Sequence, residues 1–341
     1  MKILHIAEPQ TFTKPFFELI QREVDPAQHF ILSHTRVGEW PRGLNIKKYS
    51  ATGVSWVLAF FRHANSAEKI ILHGLWDFYV IVLLFFQPWL LKKCYWMIWG
   101  GDLYDYMSNC RGWKWWLRNL FKRPVIRSIG NLVTYLEGDV ELARKWYGAT
   151  GKHHDCVMYT SNVYRNYGVK TKPHSGINIQ IGNSADSSNN HLEILEMLAP
   201  FCGEDIAIYA PLSYGNEEYA RSVIRAGKEK FGDKFKPLTE FMPVDQYLEF
   251  LGRVDIAIFN HRRQQAMGNI ITLLGLGKKV YMRSDITPWS MFKKIGVKVY
   301  DISGLELVAM DDYFAKSNSA MIESVFSKEK MVHQLKKIFE G

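Results

Sequence analysis

Residues 254–282, VDIAIFNHRRQQAMGNIITLLGLGKKVYM, admit few folds. The run 254–259 is apolar and rich in branched residues, as in a strand covered on both faces. A polar, basic turn follows, Gly268-Asn269 opens an apolar helix that closes at Gly277, and a second branched run completes a βαβ unit. The turn sets Arg262, Arg263, Gln264, Gln265, Gly268 and Asn269 at a helix N-terminus, where unpaired backbone N–H groups and the helix dipole favour an anion. Two readings stand at this point: a cradle for a diphosphate, or an ordinary strand, solvated loop and helix.

The same alternation runs through the chain. Strands are predicted over 2–7, 30–34, 69–73, 94–99 and 132–136, then over 177–181, 206–210, within 236–241, 254–259 and 297–300. Helices are predicted over 13–24 (Thr13 as cap), 54–63, 139–146 (Asp139 as cap), 191–198, 217–231, 244–252 (Asp245 as cap) and 320–339. Alternating strands and helices imply α/β architecture with parallel sheets. The polar run 170–176, KTKPHSG, is the best linker, and a new cycle starts at Ile177. The expected division is 1–172, 173–312 and a C-terminal helical segment 313–341, with a ligand in the cleft between two sheet domains.

Charge distinguishes the halves. The net charge is +9, and all of the basic excess lies before residue 173. Such a half suits an anionic partner, but no helix-turn-helix, zinc or RNP-like pattern supports nucleic acid. The segment 111–127, RGWKWWLRNLFKRPVIR, holds six basic residues, no acidic ones and three tryptophans. Basic side chains interleaved with Trp, Leu and Phe suit an anionic membrane surface, with Lys114, Arg118 and Lys122 as the expected cations. Residues 79–91 are nearly all apolar yet span about 13 positions, short of the roughly 20 that cross a bilayer. Residues 79–127 are thus expected to lie against the membrane without crossing it. The four cysteines, Cys94, Cys110, Cys156 and Cys202, have neither disulfide-framework nor zinc spacing, which fits a reducing cytoplasm. With the strand-like run beginning directly after Met1-Lys2, no secretory signal is expected.

Polar residues at the carboxyl ends of parallel strands sit where α/β folds keep their ligand crevice. His73 ends one such strand, and Gly100-Gly101-Asp102 follows another. The turn Gly182-Asn183-Ser184, before the polar run to Asn190, is a second candidate phosphate site. Tyr209 and Tyr214 flank the next strand end, and Glu240 follows the one after.

Four motifs in order, IILHGLWD (70–77), WMIWGGDLYDY (96–106), IGNSADSSNNHLEIL (181–195) and HRRQQAMGNIITLLGLGKKVYM (261–282), resemble glycosyltransferase family 56 over about residues 70–300. The resemblance implies a GT-B fold, with two Rossmann-like domains facing a cleft and a C-terminal helix returning to the first. It implies transfer of 4-acetamido-4,6-dideoxygalactose (Fuc4NAc) from a dTDP-sugar to an undecaprenyl-diphosphate-linked saccharide, as in enterobacterial common antigen synthesis. Gly182, Asn183 and Ser184 match the family's GNS turn, and Arg263, Gln264, Gln265 and Gly268 match its RQQGIG-like loop. Asn269 departs from it, standing where a small residue is expected. Glu240 corresponds to a carboxylate suited to a ribose hydroxyl. His73-Gly74 matches the HG motif, and Gly100, Asp102, Leu103 and Tyr104 match WGxDLY.

The expected chemistry uses no cofactor and, with no DxD motif, no metal. N–H groups and arginines would neutralise the leaving diphosphate. Asp102 is the first candidate base, His73 the second and Asp77 the third. The implied setting is the cytoplasmic face of a bacterial inner membrane. A non-catalytic nucleotide-sugar-binding protein and a GT-B-fold epimerase stay open as alternatives.

Overall fold

The computed structural model describes residues 2–34, 39–107, 112–166, 168–169 and 174–341. Cys110, Arg111 at the head of the basic segment, and residues 170–173 of the expected linker lie outside these. The chain forms two compact units, Met1–Val163 with Lys328–Gly341, and Tyr164–Ser327.

In the first unit the strands are β1 (Ile3–Ile6), β2 (His29–Ser33), β3 (Lys47–Ser50), β4 (Lys69–His73), β5 (Cys94–Met97), β6 (Asn131–Val133) and β7 (Lys152–His154). They form a parallel sheet in the order β3-β2-β1-β4-β5-β6-β7. β3 and β7 escape prediction because KKYS and KHH are polar edge strands with no apolar run to mark them. The helices are α1 (Thr13–Glu23), α2 (Gly53–Ser66), α3 (Phe78–Phe86), α4 (Gly101–Tyr104), α5 (Trp113–Ser128) and α6 (Glu137–Tyr147). α2 turns Trp56, Phe60 and Ala64, spaced four apart, into the core beside Leu4, Ile70, Leu72 and Trp96. The apolar segment 79–91 is divided between α3 and a 3₁₀ turn over Pro88–Lys93, since Pro88 cannot continue the helix.

In the second unit the strands are β8 (Ile177–Ile181), β9 (Ile206–Pro211), β10 (Phe235–Leu238), β11 (Ile256–Phe259), β12 (Lys279–Met282) and β13 (Tyr300–Asp301), again parallel and in the order β10-β9-β8-β11-β12-β13. The helices are α7 (His191–Leu198), α8 (Glu217–Phe231), α9 (Val244–Arg253), α10 (Met267–Gly275), α11 (Thr287–Lys294) and α12 (Asp312–Val325), and α13 (Lys328–Glu340) returns to the first unit.

Three expected caps are placed differently. Thr13 lies inside α1, its hydroxyl donating to Glu8 O, and Asp245 lies in the first turn of α9 after Pro243. Asp139 is buried in the first turn of α6, where Tyr104 donates to its Oδ1 at 3.0 Å. The single helix expected over 320–339 is broken at Phe326-Ser327. Phe326 is buried, its carbonyl accepts the Tyr164 N–H at 2.9 Å, and the next residues belong to the other unit. α13 is held by Lys69, whose ammonium donates to Ile338 O and Phe339 O at 2.8 and 2.9 Å, a cation on helix-terminal carbonyls. The packing therefore divides 313–341 between the units. Among the described residues no helix is long and apolar enough to cross a membrane.

Candidate active site

Both sheets change direction of winding at one point, between β1 and β4 and between β8 and β11, and such switch points are where open parallel sheets leave a crevice. In the second unit that crevice is bordered by the loops after β8 and β11. Gly182 follows β8 with φ +61°, and a Cβ there would stand 2.4 Å from His191 Nε2, so only glycine fits the turn. Asn183 donates its N–H to Asn189 Oδ1 at 2.9 Å and its side-chain amide to Tyr214 Oη at 3.0 Å. The buried Asn189 amide donates to Ser184 Oγ at 3.2 Å.

The second loop is tied to the first at several points. His261 Nε2 lies 2.9 Å from Asn189 Oδ1, Ser188 Oγ donates to Gln265 Oε1 at 2.8 Å, and Asn190 donates to Asn260 O at 2.7 Å. Arg262 is exposed and pairs with Glu193 at 3.0 Å. Arg263 is half-buried and its charge helps hold His261 neutral: burial first, then Arg263, takes that imidazole down to about 3. Ala266 adopts φ +56° to start α10, whose first N–H groups have no intrahelical acceptor. Gln264 is buried with its Oε1 unpartnered. Gly268 lies in the first turn of α10, and Asn269 accepts from Tyr247 Oη at 2.9 Å, so the residue that departs from the family pattern anchors α9 to α10. Glu240 lies exposed just past β10. Tyr209 sits mid-strand in β9 with its ring against Phe250, away from the strand's carboxyl end, so packing accounts for it.

In the first unit, Asp102 is wholly buried. Oδ2 accepts from Leu75 N at 2.9 Å and Trp96 Nε1 at 2.7 Å, and Oδ1 accepts from Trp99 N at 3.1 Å and Leu103 N at 3.0 Å. Burial raises its pKa against those donors. A carboxylate with both oxygens so engaged fixes the loops after β4 and β5, and its setting is structural. Gly100, at φ +89°, starts α4, and Tyr104 is buried against Asp139 and Trp146.

His73 belongs to a buried row: His29 Nδ1 lies 2.9 Å from His5 Nε2, His5 Nδ1 lies 3.0 Å from His73 Nε2, and His73 Nδ1 lies 2.8 Å from Tyr159 Oη. Tyr159 Oη also accepts from Trp99 Nε1 at 2.8 Å. Burial takes His73 down to about 3 and His29 to about 4, so the row is neutral. Asp77, by contrast, is partly exposed. It caps α3 through Tyr79 N at 2.7 Å, and its Oδ2 lies 2.5 Å from His34 Nδ1. His34 is the residue that sequence reasoning missed, although it ends the run 30–34 as His73 ends 69–73, and the same strand-end rule applies to both.

The family described as "4-alpha-L-fucosyltransferase glycosyl transferase group 56" matches residues 10–299. Among solved structures, the Anabaena protein Alr3699/HepE in complex with UDP superposes with a TM-score of 0.69 at 11% identity, covering 100% of each chain. The lipopolysaccharide outer core galactosyltransferase WaaB has a TM-score of 0.64 at 10% identity, covering 100% of this chain and 99% of its own. A glycosyltransferase from Rickettsia africae has a TM-score of 0.63 at 11% identity, covering 99% and 97%. At these identities the structural likeness shows the fold, which is GT-B, while the family match spans most of the chain. The protein belongs to glycosyltransferase family 56 and is a GT-B glycosyltransferase.

Proposed function

We propose that this glycosyltransferase moves a 4-acetamido-4,6-dideoxyhexose from a dTDP-sugar to a polyprenyl-diphosphate-linked saccharide, at the cytoplasmic face of a bacterial inner membrane, in surface polysaccharide synthesis. The observation that carries the reading is the pair of interlocked turns after β8 and β11, with Gly182 at a close approach to His191 that leaves no room for a Cβ and the α10 N-terminus beside Arg263. The N–H groups at the start of α10, which have no intrahelical acceptor, and a half-buried guanidinium suit a diphosphate leaving group, whose charge grows as the glycosidic bond breaks. Glu240, past the end of β10, suits a ribose hydroxyl. The family's description as a fucosyltransferase names a 6-deoxyhexose, of which the proposed sugar is the 4-acetamido relative. The neighbour bound to UDP supports a nucleotide-linked donor, and the choice of dTDP rests on the motif resemblance.

The lipid acceptor and membrane face are supported by α5. Trp113, Trp116, Leu117 and Leu120 form one stripe by helical spacing, and all four are exposed. Lys114 and Arg123 are exposed on the same helix. Lys122 is not part of that face. It is fully buried, donating to Asp102 O at 2.6 Å and pairing with Asp105 at 3.3 Å.

A thermal-shift series over dTDP, UDP, GDP and their sugars, followed by transfer assays, tests the donor. dTDP and its 4-acetamido-4,6-dideoxy sugar are expected to stabilise the protein most, and Arg263→Ala to weaken that binding about tenfold, the loss of one charge-assisted contact. Stabilisation by UDP or GDP alone overturns the donor assignment. A new sugar nucleotide formed from donor alone would identify an epimerase, and binding without turnover a non-catalytic protein.

A further inference from the structure

We infer that His34 is the base that takes the acceptor's proton and that Asp77 positions it; this rests on the glycosyl transfer proposed above and names the group that activates the acceptor. Three loops at the carboxyl ends of β1, β2 and β4 bring Glu8, His34 and Asp77 together at the switch point of the first unit's sheet. Asp77 Oδ2 meets His34 Nδ1 at 2.5 Å, with the two side chains 28% and 19% exposed. The carboxylate is not free to swing away, because its Oδ1 caps α3 at Tyr79 N. The His34 backbone is held as well, its N–H donating to Glu8 Oε1 at 2.7 Å. The imidazole lies between the buried Trp56 ring, at 4.6 Å, and the exposed Tyr79 ring, at 5.0 Å.

A carboxylate on Nδ1 keeps the proton on that nitrogen and leaves Nε2 as the one that accepts. His73 does not offer this arrangement, since both its nitrogens are engaged in the buried row, and Asp102 has no unengaged oxygen. In the step so assigned, the acceptor hydroxyl oxygen bonds to the anomeric carbon of the donor, the bond from that carbon to the diphosphate oxygen breaks, and its electron pair leaves with dTDP. The hydroxyl proton passes to His34 Nε2 and from there to water.

The test measures turnover of the sugar-nucleotide panel with an undecaprenyl-diphosphate-linked saccharide, including slow donor hydrolysis, together with dTDP thermal shift. His34→Ala is expected to lower kcat about 10³-fold with donor KM and the dTDP shift unchanged, and added imidazole to restore part of the rate. Asp77→Asn is expected to lower kcat about 10- to 100-fold, as loss of an orienting partner does. If His34→Ala does not fold, His34→Gln, which keeps a hydrogen-bonding group toward Asp77, carries the same comparison. His34→Ala, or His34→Gln in its place, within threefold of wild type, or a folded inactive His34→Ala without imidazole rescue, overturns the base assignment alone. Wild-type turnover on another nucleotide sugar overturns the donor and leaves the dyad to be read on that substrate. A wild-type protein inert to the whole panel overturns both.

Discussion

At the scale of single residues, Asp102 shows why a motif aspartate is not by itself a base. Its place in GGDLY marks it as important, but four N–H donors on a wholly buried carboxylate make it a fastener of two loops. Asp102→Asn would turn an amide N–H₂ toward those donors, and a loss of about 3 kcal/mol or more in urea unfolding is expected, from unmade bonds to a charged group. Unchanged stability with abolished turnover would instead return Asp102 to the reacting groups. Strand-end residues were legible because a parallel sheet exposes its ligands there, and Asp77, His73, Gly182 and Gln264 all lie at such ends, as does His34, which was missed. What could not be read was which of them face water, since that depends on partners far off in sequence: His5 and Tyr159 for His73, Leu75 for Asp102.

At the scale of elements, α5 has an exposed face and a buried one that its sequence does not separate. RGWKWWLRNLFKRPVIR reads as uniformly basic and aromatic, yet one cation, Lys122, turns inward to Asp102 O and Asp105 while Trp113, Trp116 and Leu120 turn outward. Trp116→Asp with Leu120→Asp is expected to abolish sedimentation with vesicles containing phosphatidylglycerol and leave the dTDP shift intact, and Lys114→Glu with Arg123→Glu to weaken it in a salt-dependent way. Vesicle binding unaffected by both pairs would remove α5 from the membrane role. Lys122→Glu is unsuitable for this purpose, because a buried like charge beside Asp105 would unfold the helix's surroundings. Strongly apolar strands such as β4 and β11 announced themselves, whereas β3 and β7 did not, because an edge strand needs no buried face.

At the scale of the molecule, five buried imidazoles govern the response to acid. Burial takes His29 and His191 down to about 4, His73 and His261 to about 3, and holds His5 well below its ordinary value. Folded-state values below the unfolded ones mean that only the unfolded chain takes up these protons as pH falls through about 6.5. Stability should therefore be flat above that pH and decline below it, by up to about 1.4 kcal/mol per pH unit for each imidazole, until the folded-state values near 3 to 4 are reached. A urea midpoint that holds steady from about pH 7.5 to about pH 5 would mean that the folded chain accepts the protons. Two of these imidazoles, His5 and His29, are covered by Phe339 of α13, at 6.0 and 4.9 Å between ring centroids. Since α13 follows the whole of the second unit in the chain, a ribosome finishes the second unit before it can deliver the residues that close the first. The first unit is thus complete only when the last helix of the chain, some 170 residues after β7, has been made.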